Sequence, residues 1–306
     1  MGGRVPPLGP LLRQLRNDTG IIALNVRSCN PFQAYPGENA PFSSLCTQNK
    51  PNIDKLSPML YSKPVREHFG KGGRAMSSFV LRAIALVCMV TDHIGLSAFP
   101  DANAFRCVGR IAFPLYCFLL VQGYRHTRDV RAYARRLLLL ALISEIPFDW
   151  LIFGRITCLS EQNALFSLLL ALTALAADDA LREQAVLRVL ALGGLCVAAM
   201  LSRVSFGWLG VALCLCFYEL GGLRRIACAA ALLLVYSLSL ALSGVAQGWA
   251  LTSLWALLAL PLIALYNGHS GPRPRLLTAL FYAAYPLHLI GLGIIRALRI
   301  VPPYFF

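Results

Sequence analysis

The most unusual feature of this 306-residue chain is a set of ionisable side chains inside long apolar segments. The first such segment, 77–98, carries Arg82 near its start and the adjacent Asp92 and His93 near its end. An ionisable group costs roughly 2.5–3.5 kcal/mol at the centre of a membrane helix, and such groups usually mark function. Arg82 and His93 are eleven residues apart, so on a helix they share one face and lie about 16 Å apart along its axis.

Further polar residues occur where the next apolar segments should reach the same depth. They are Arg106, Arg110, Glu145, Asp149, Gln162 and Asn163. We predict that all of these side chains but Arg106 converge with Asp92 and His93 in the outer half of a helix bundle, and that Arg106, one helical turn before Arg110, lies near the same end. Two interpretations stay open. The charges form either a functional site or an arginine–carboxylate network that only joins three helices.

A second polar set is predicted at the cytoplasmic side, comprising Arg82, Arg125, Asn267, Arg273 and Arg275. The planar guanidinium group donates two hydrogen bonds at once and therefore suits phosphate. The alternative is that these arginines only set membrane topology. The last apolar segment adds Tyr285 and His288, which share one helix face and could equally be a core pair.

The composition fixes the class of protein in which these residues sit. The chain is 57% hydrophobic and only 14% charged, whereas soluble domains average about 45–50% and about 25%. Too few charges are present to cover a soluble protein of this size. The net charge of +14 could indicate nucleic acid, but the basic residues lie in short loops between apolar segments. We therefore expect a membrane protein with no nucleic-acid partner.

Nine apolar segments predict an all-α, polytopic membrane helix bundle of about nine transmembrane helices, with an error of one or two. They lie near 77–98, 105–124, 134–153, 163–177, 186–201, 206–220, 226–243, 248–266 and 276–296, and most approach the length that spans a bilayer. A cytoplasmic N-terminus places eleven arginines in the loops 125–136, 178–188, 221–225 and 267–275. The opposite loops hold four, so the positive-inside rule supports this orientation.

Residues 1–76 are predicted to form a separate segment, and residues 77–300 the transmembrane domain. The first segment is rich in Pro, Gly, Asn and Ser, which predicts a largely disordered cytoplasmic extension. Most of the ten cysteines lie in or beside apolar segments, where cysteine behaves as a small hydrophobe. No cysteine pair has metal-binding spacing, so we expect no metal site.

Several polar motifs, taken in order, resemble the TraX family, which is typified by the membrane protein that N-acetylates conjugative pilin. The motifs are TDHIG at 91–95, GRIAFP at 109–114, GYRHT at 123–127, LISEIPFD at 142–149, QN at 162–163, YNG at 266–268 and YPLH at 285–288. The resemblance runs from about residue 81 to about residue 289 and does not cover the N-terminal extension. The spacing of Arg82 and His93 is also similar to that of the wider membrane acyltransferase group.

The resemblance implies an acetyltransferase of the bacterial cytoplasmic membrane that uses acetyl-CoA as donor. We expect the donor phosphates at Arg125 and the 267–275 loop. The residues expected to bind the donor are Arg82, Arg125, Asn267, Arg273, Arg275, Tyr285 and His288. His93 would be the general base or would be transiently acetylated, with Asp92 or Glu145 orienting its imidazole. Arg110 or Asn163 could stabilise the oxyanion.

The acyl acceptor is open at this point: pilin, a glycan and a small amine all fit. Two rival functions are open as well. One is a transporter that uses the intramembrane Asp, His and Arg residues as a substrate or proton relay. The other is a membrane scaffold whose buried charges only lock helices together.

Overall fold

A computed structural model describes residues 76–99, 102–243, 247–272 and 274–298, all within one compact unit, Ser57–Phe306. The predicted disordered extension, 1–76, lies outside the described residues except for Met76. The described part is helical, with isolated β-bridges joining Met76 to Tyr266 and Gln162 to Val204. The all-α prediction is therefore confirmed.

Eleven α-helices and one 3₁₀ turn make up the described part of the chain. The helices are α1 Ser78–Ala98, α2 Asn103–Gly109, α3 Ala112–His126, α4 Val130–Phe153, α5 Ala164–Ala180, α6 Ala185–Leu201, α7 Trp208–Glu219, α8 Gly222–Leu242, α9 Gln247–Ser253, α10 Ala259–Ala264 and α11 Arg275–Ala297. The 3₁₀ turn, Leu254–Leu258, joins α9 to α10. Each of the nine predicted apolar segments is thus helical.

Local side chains fix where three of these helices begin. Ser77, Asp129 and Asn163 precede α1, α4 and α5, and each accepts a hydrogen bond from a backbone N–H of the first turn. Such caps satisfy donors that the helix itself leaves unpaired. Gly154 ends α4 in the left-handed conformation, with φ of 66°, which glycine adopts without strain.

Two segments predicted as single helices are interrupted, and a proline explains each case. The segment 105–124 divides at Arg110 and Ile111, because Pro114 has no N–H to bond the Arg110 carbonyl. The segment 248–266 tightens into the 3₁₀ turn three to seven residues before Pro261. A proline ring clashes with the carbonyl four residues earlier and removes its hydrogen bond.

The core of the bundle forms around α3 and α7. Helix α3 packs against α1, α5, α7 and α10, and α7 packs against α3, α5, α6 and α8. Phe118 and Phe217 are fully buried at their crossing, with ring centroids 5.7 Å apart in an edge-to-face arrangement. Helices α6, α8 and α11 expose many apolar side chains instead, as expected for helices that face lipid.

Four segments are long and apolar enough to cross a membrane: Ser78–Ala98, Asn103–His126, Gly222–Leu242 and Leu276–Ala297. Three shorter helical segments are also apolar, namely Ala185–Leu201, Trp208–Glu219 and Gly248–Ala264. This supports a membrane protein. The count of nine spans and the cytoplasmic N-terminus stay predictions.

Candidate active site

A cavity of about 810 Å³ extends along α1 through the bundle. One end, here called the Arg82 end, is lined by Ser78, Arg82, Arg136, Ser270 and Thr278. The other, the His93 end, is lined by Asp92, His93, Arg106, Arg110, Glu161 and Trp249. The wall between the two ends is mainly apolar and includes Leu86, Met89, Leu120 and Leu168. The predicted common face of Arg82 and His93 is therefore the cavity-facing side of α1.

His93 is buried and its partner is another histidine. Its Nδ1 lies 2.8 Å from Nε2 of His288 on α11, and Nδ1 of His288 lies 2.8 Å from the backbone carbonyl oxygen of Ala284. The Tyr285 ring packs edge-on against both imidazoles, with centroid distances of 6.5 and 5.6 Å. Tyr285 and His288 were predicted to bind the donor. The structure instead places His288 beside the predicted reactive histidine.

The predicted carboxylate partners of His93 are engaged elsewhere. Arg106 Nη1 donates to Asp92 Oδ2 at 2.8 Å, and Arg110 Nη2 lies 3.7 Å from Asp92 Oδ1. Both guanidinium groups lie over the Trp249 ring, 4.8 and 5.3 Å from its centroid. The buried Nε of Arg110 has no hydrogen-bond partner in the described part of the chain. Arg110 therefore keeps donor capacity for a group in the cavity.

A glycine allows this charged cluster to form. Helix α2 approaches α1 so closely at Gly109 that an added Cβ would collide with the Cβ, Cγ and Oδ1 of Asp92. The close approach brings Arg106, one turn earlier on α2, against the same carboxylate.

Glu145 and Asn163 join helices α4 and α5 and do not line the cavity. Asn163 Nδ2 donates to Glu145 Oε2 at 2.5 Å and to the Ala141 carbonyl at 3.0 Å, while its Oδ1 accepts from the Leu165 N–H. Asp149 accepts from the Cys158 N–H at 2.6 Å. These side chains order the end of α4 and the start of α5.

Gln162 also lies apart from His93. Its backbone pairs with the 203–205 turn, where its N–H donates to the Arg203 carbonyl and its carbonyl accepts from the Ser205 N–H. The predicted single convergence at the outer end thus divides into separate groups, with Asp92, His93, Arg106 and Arg110 at the cavity.

The predicted phosphate-binding residues are likewise divided by the structure. Arg125 Nη2 donates to the Tyr218 and Phe217 carbonyls at 2.7 and 3.3 Å, and its guanidinium lies over the Tyr218 ring. Arg125 thus contacts the last turn of α7 and does not line the cavity. Arg136, which was predicted only as one of the loop arginines that set topology, does line it.

The 266–271 loop folds against the start of α1. Ser78 Oγ and Tyr266 Oη are 3.0 Å apart, and the Asn267 N–H donates to the Met76 carbonyl. The Asn267 side chain accepts from the His269 N–H at 2.9 Å, so it orders its own loop. Arg273 lies outside the described residues, and Arg275 begins α11.

Trp249 and Arg136 are two cavity-lining residues that sequence reasoning did not place in the site. Trp249 belongs to none of the polar motifs. It reaches the arginines through the packing of α9 against α2. Arg136 lies in the first turns of α4. From sequence alone, an arginine at the start of a helix cannot be distinguished from an arginine in the preceding loop. In the described part of the chain, no group of three or more His, Cys, Asp or Glu side chains could hold a metal ion.

An all-helical bundle with membrane-length apolar segments, a buried histidine and buried arginines defines the class of polytopic membrane proteins with an internal polar site. Within that class, the chain belongs to the TraX family: the family described as "TraX protein" matches residues 77–296.

Two relatives match shorter stretches of the chain. A "Probable fimbrial assembly protein FimC, serogroup H1" of Dichelobacter nodosus is 38% identical over 110 residues, which is 32% of this chain and 45% of that protein. An uncharacterized protein of Rickettsia prowazekii (strain Madrid E) is 44% identical over 39 residues, covering 13% of this chain and 16% of that protein. The chain therefore spans less than half the length of either relative. No solved structure matches.

Proposed function

We propose that this protein is an integral membrane acetyltransferase that moves an acetyl group from acetyl-CoA to an acceptor amine or hydroxyl. The observation that carries the proposal is the single cavity that joins the basic Arg82 end to the buried His93. The rise of about 16 Å between Arg82 and His93 along α1 suits an extended donor arm between a phosphate site and a reacting centre. Membership of a family associated with pilin acetylation supports the same chemistry.

The Arg82 end is proposed to hold the donor phosphates. Arg82 and Arg136 supply positive charge there, and Ser270 and Thr278 supply hydroxyl groups. Guanidinium groups bind phosphate oxygens in pairs. The proposal favours these two arginines over Arg125, whose guanidinium contacts α7. Arg273 and Arg275 are proposed to contribute to donor binding as well.

At the other end, His93 is proposed to act as general base. Its Nε2 takes the proton of the acceptor amine or hydroxyl while that group attacks the thioester carbonyl. The new bond to carbon forms, the carbon–sulfur bond breaks, and His93 returns the proton to the leaving thiolate. General acid–base catalysis of this kind contributes about 10²–10⁴-fold. Arg110, whose Nε has no hydrogen-bond partner among the described residues, would stabilise the oxyanion.

The acceptor is proposed to be a pilin N-terminus. The family association points to pilin, and the printed name of the Dichelobacter relative refers to fimbrial assembly. A glycan or small amine would use the same chemistry. The proposed location is the bacterial cytoplasmic membrane, with the N-terminus and the Arg82 end on the cytoplasmic side, where acetyl-CoA is made.

A transporter is the second candidate, and the presence of ionisable side chains at both ends of one cavity favours it. Purified protein in detergent, supplied with radiolabelled acetyl-CoA, separates the two functions. The enzyme releases CoA thiol and transfers label to an added amine or to water, and His93→Ala abolishes both. If the wild-type protein does neither, but carries labelled solute into proteoliposomes, the acetyltransferase proposal is wrong.

A further inference from the structure

We propose that His288 is a positioning residue of this reaction, because it fixes the tautomer of His93 and shares the proton that His93 receives. The inference rests on the proposed function and adds a role that the sequence did not assign. It depends on the direction of two hydrogen bonds.

The first hydrogen bond fixes the tautomer of His288. A backbone carbonyl can only accept, so the Nδ1 of His288, 2.8 Å from the Ala284 oxygen, carries a hydrogen. A neutral imidazole has one N–H. In the neutral ring, the Nε2 of His288 therefore presents a lone pair towards His93.

The second hydrogen bond then fixes the tautomer of His93. Its Nδ1 faces that lone pair at 2.8 Å and must donate. The single hydrogen of neutral His93 is then on Nδ1, which leaves a lone pair on Nε2. The pair thus holds His93 in the form that can accept a proton from an acyl acceptor.

No carboxylate orients His93 in the described part of the chain. Asp92 is paired with Arg106 and Arg110, and Glu145 is bonded to Asn163. A carboxylate behind a catalytic histidine normally holds the ring and stabilises the imidazolium. His288 occupies that place without adding a negative charge, which would be costly to bury in an apolar bundle.

The proton balance of the reaction is preserved. When His93 Nε2 takes the acceptor proton, the hydrogen on His93 Nδ1 can move towards His288 Nε2, so the positive charge is shared between two rings. It returns when His93 protonates the leaving thiolate. The Tyr285 ring of α11 packs against the pair, and the positive charges of Arg106 on α2 and Arg110 in the turn after it act on His93.

Two amide substitutions at position 288 separate this role from a purely structural one. A glutamine amide reaches the position of the imidazole Nε2, so His288→Gln keeps an acceptor for His93. An asparagine amide reaches only the Nδ1 position, so His288→Asn keeps the bond to Ala284 and withdraws the acceptor. The two variants therefore differ in the one contact that the proposal needs.

We expect kcat for acetyl transfer to fall about 10²–10⁴-fold in His288→Asn, with the KM for acetyl-CoA nearly unchanged because the phosphates bind at the Arg82 end. In His288→Gln we expect a loss within about tenfold. Equal losses in two folded variants, or no loss in either, would overturn the proposal. Thermal unfolding midpoints and gel-filtration profiles establish that the variants are folded.

Nitrogen-15 NMR of the histidine-labelled wild-type protein gives a test that needs no folded variant at position 288. The signal of His93, assigned by its loss in His93→Ala, is expected to show hydrogen on Nδ1. Hydrogen on Nε2 in the neutral protein would refute the proposed direction of the bonds. If wild-type protein transfers no more acetyl than His93→Ala, the proposed function itself is wrong, irrespective of the NMR result.

Discussion

Gly109→Ala tests the close contact of helices α1 and α2 that assembles the charged cluster at the His93 end of the cavity. The added methyl group would overlap the side chain of Asp92, including its Cβ, so no rotamer of Asp92 avoids the collision. Either the two helices move apart or Asp92 is displaced. In both cases the 2.8 Å contact between Asp92 and Arg106 is lost.

The size of the effect follows from those two outcomes. Overpacking a filled contact costs about 1–3 kcal/mol, and breaking a buried ion pair about 3–5 kcal/mol. The same substitution in an unobstructed helix stabilises by roughly 0.5–1 kcal/mol, because alanine has less conformational freedom to lose. We therefore expect Gly109→Ala to lower the free energy of unfolding by about 2–4 kcal/mol.

Gly194→Ala is the matched control, since Gly194 is also helical and an added Cβ there would meet nothing within 4 Å. Both free energies of unfolding are measured by denaturant titration in one detergent, together with acetyl transfer. We expect the control to be at least as stable as wild type and fully active. If Gly109→Ala lies within about 0.5 kcal/mol of the control, the contact between Gly109 and Asp92 does not exist as described.

Three further predictions address the remaining parts of the site. Arg136→Ala should raise the KM for acetyl-CoA about tenfold through a lost charge-assisted contact, whereas Arg125→Ala should mainly lower thermal stability; the opposite pattern in donor titrations would restore Arg125 as the phosphate ligand. Asn163→Ala should cost about 1–2 kcal/mol through the lost helix cap, measured by denaturant titration, and an unchanged stability would contradict the role of Asn163 in joining α4 to α5. Deletion of residues 1–70 should leave acetyl transfer to a small amine nearly intact, because the family match begins at residue 77; loss of that activity in a correctly inserted protein would show that the extension is needed.

The helices could be predicted from the sequence because long apolar segments separated by arginine-rich loops have few other solutions in a membrane. Their interruptions were missed where a proline acts on the preceding turn, as Pro114 and Pro261 do. The consequence of a proline depends on whether neighbouring helices supply new partners. That is a property of the tertiary structure rather than of the local sequence.

The candidate site could be predicted only in part, for a similar reason. His93 and Arg82 lie on one helix, so their common face follows from helical geometry alone. The partner of His93 is His288 on α11, 195 residues further along the chain. The hydrophobic periodicity of a helix does not specify which face of α11 packs against which face of α1. Sequence reasoning therefore proposed a carboxylate, Asp92 or Glu145. The structure places Asp92 against two arginines and bonds Glu145 to Asn163.

The sequence left open whether the buried polar residues form a functional site or only join helices. In the structure, some of these residues join helices and others line the cavity. Glu145 and Asn163 bond to each other away from the cavity, so the contacts among them are those of a joint between helices. A comparable joint occurs elsewhere, where Arg188 pairs with the buried Asp178 at 2.6 Å. His93 differs from both, because it lines the cavity and is held by a neutral partner. A buried group that is positioned but not neutralised by an opposite charge keeps its capacity to exchange a proton, and this is the physical reason for proposing His93 as the general base.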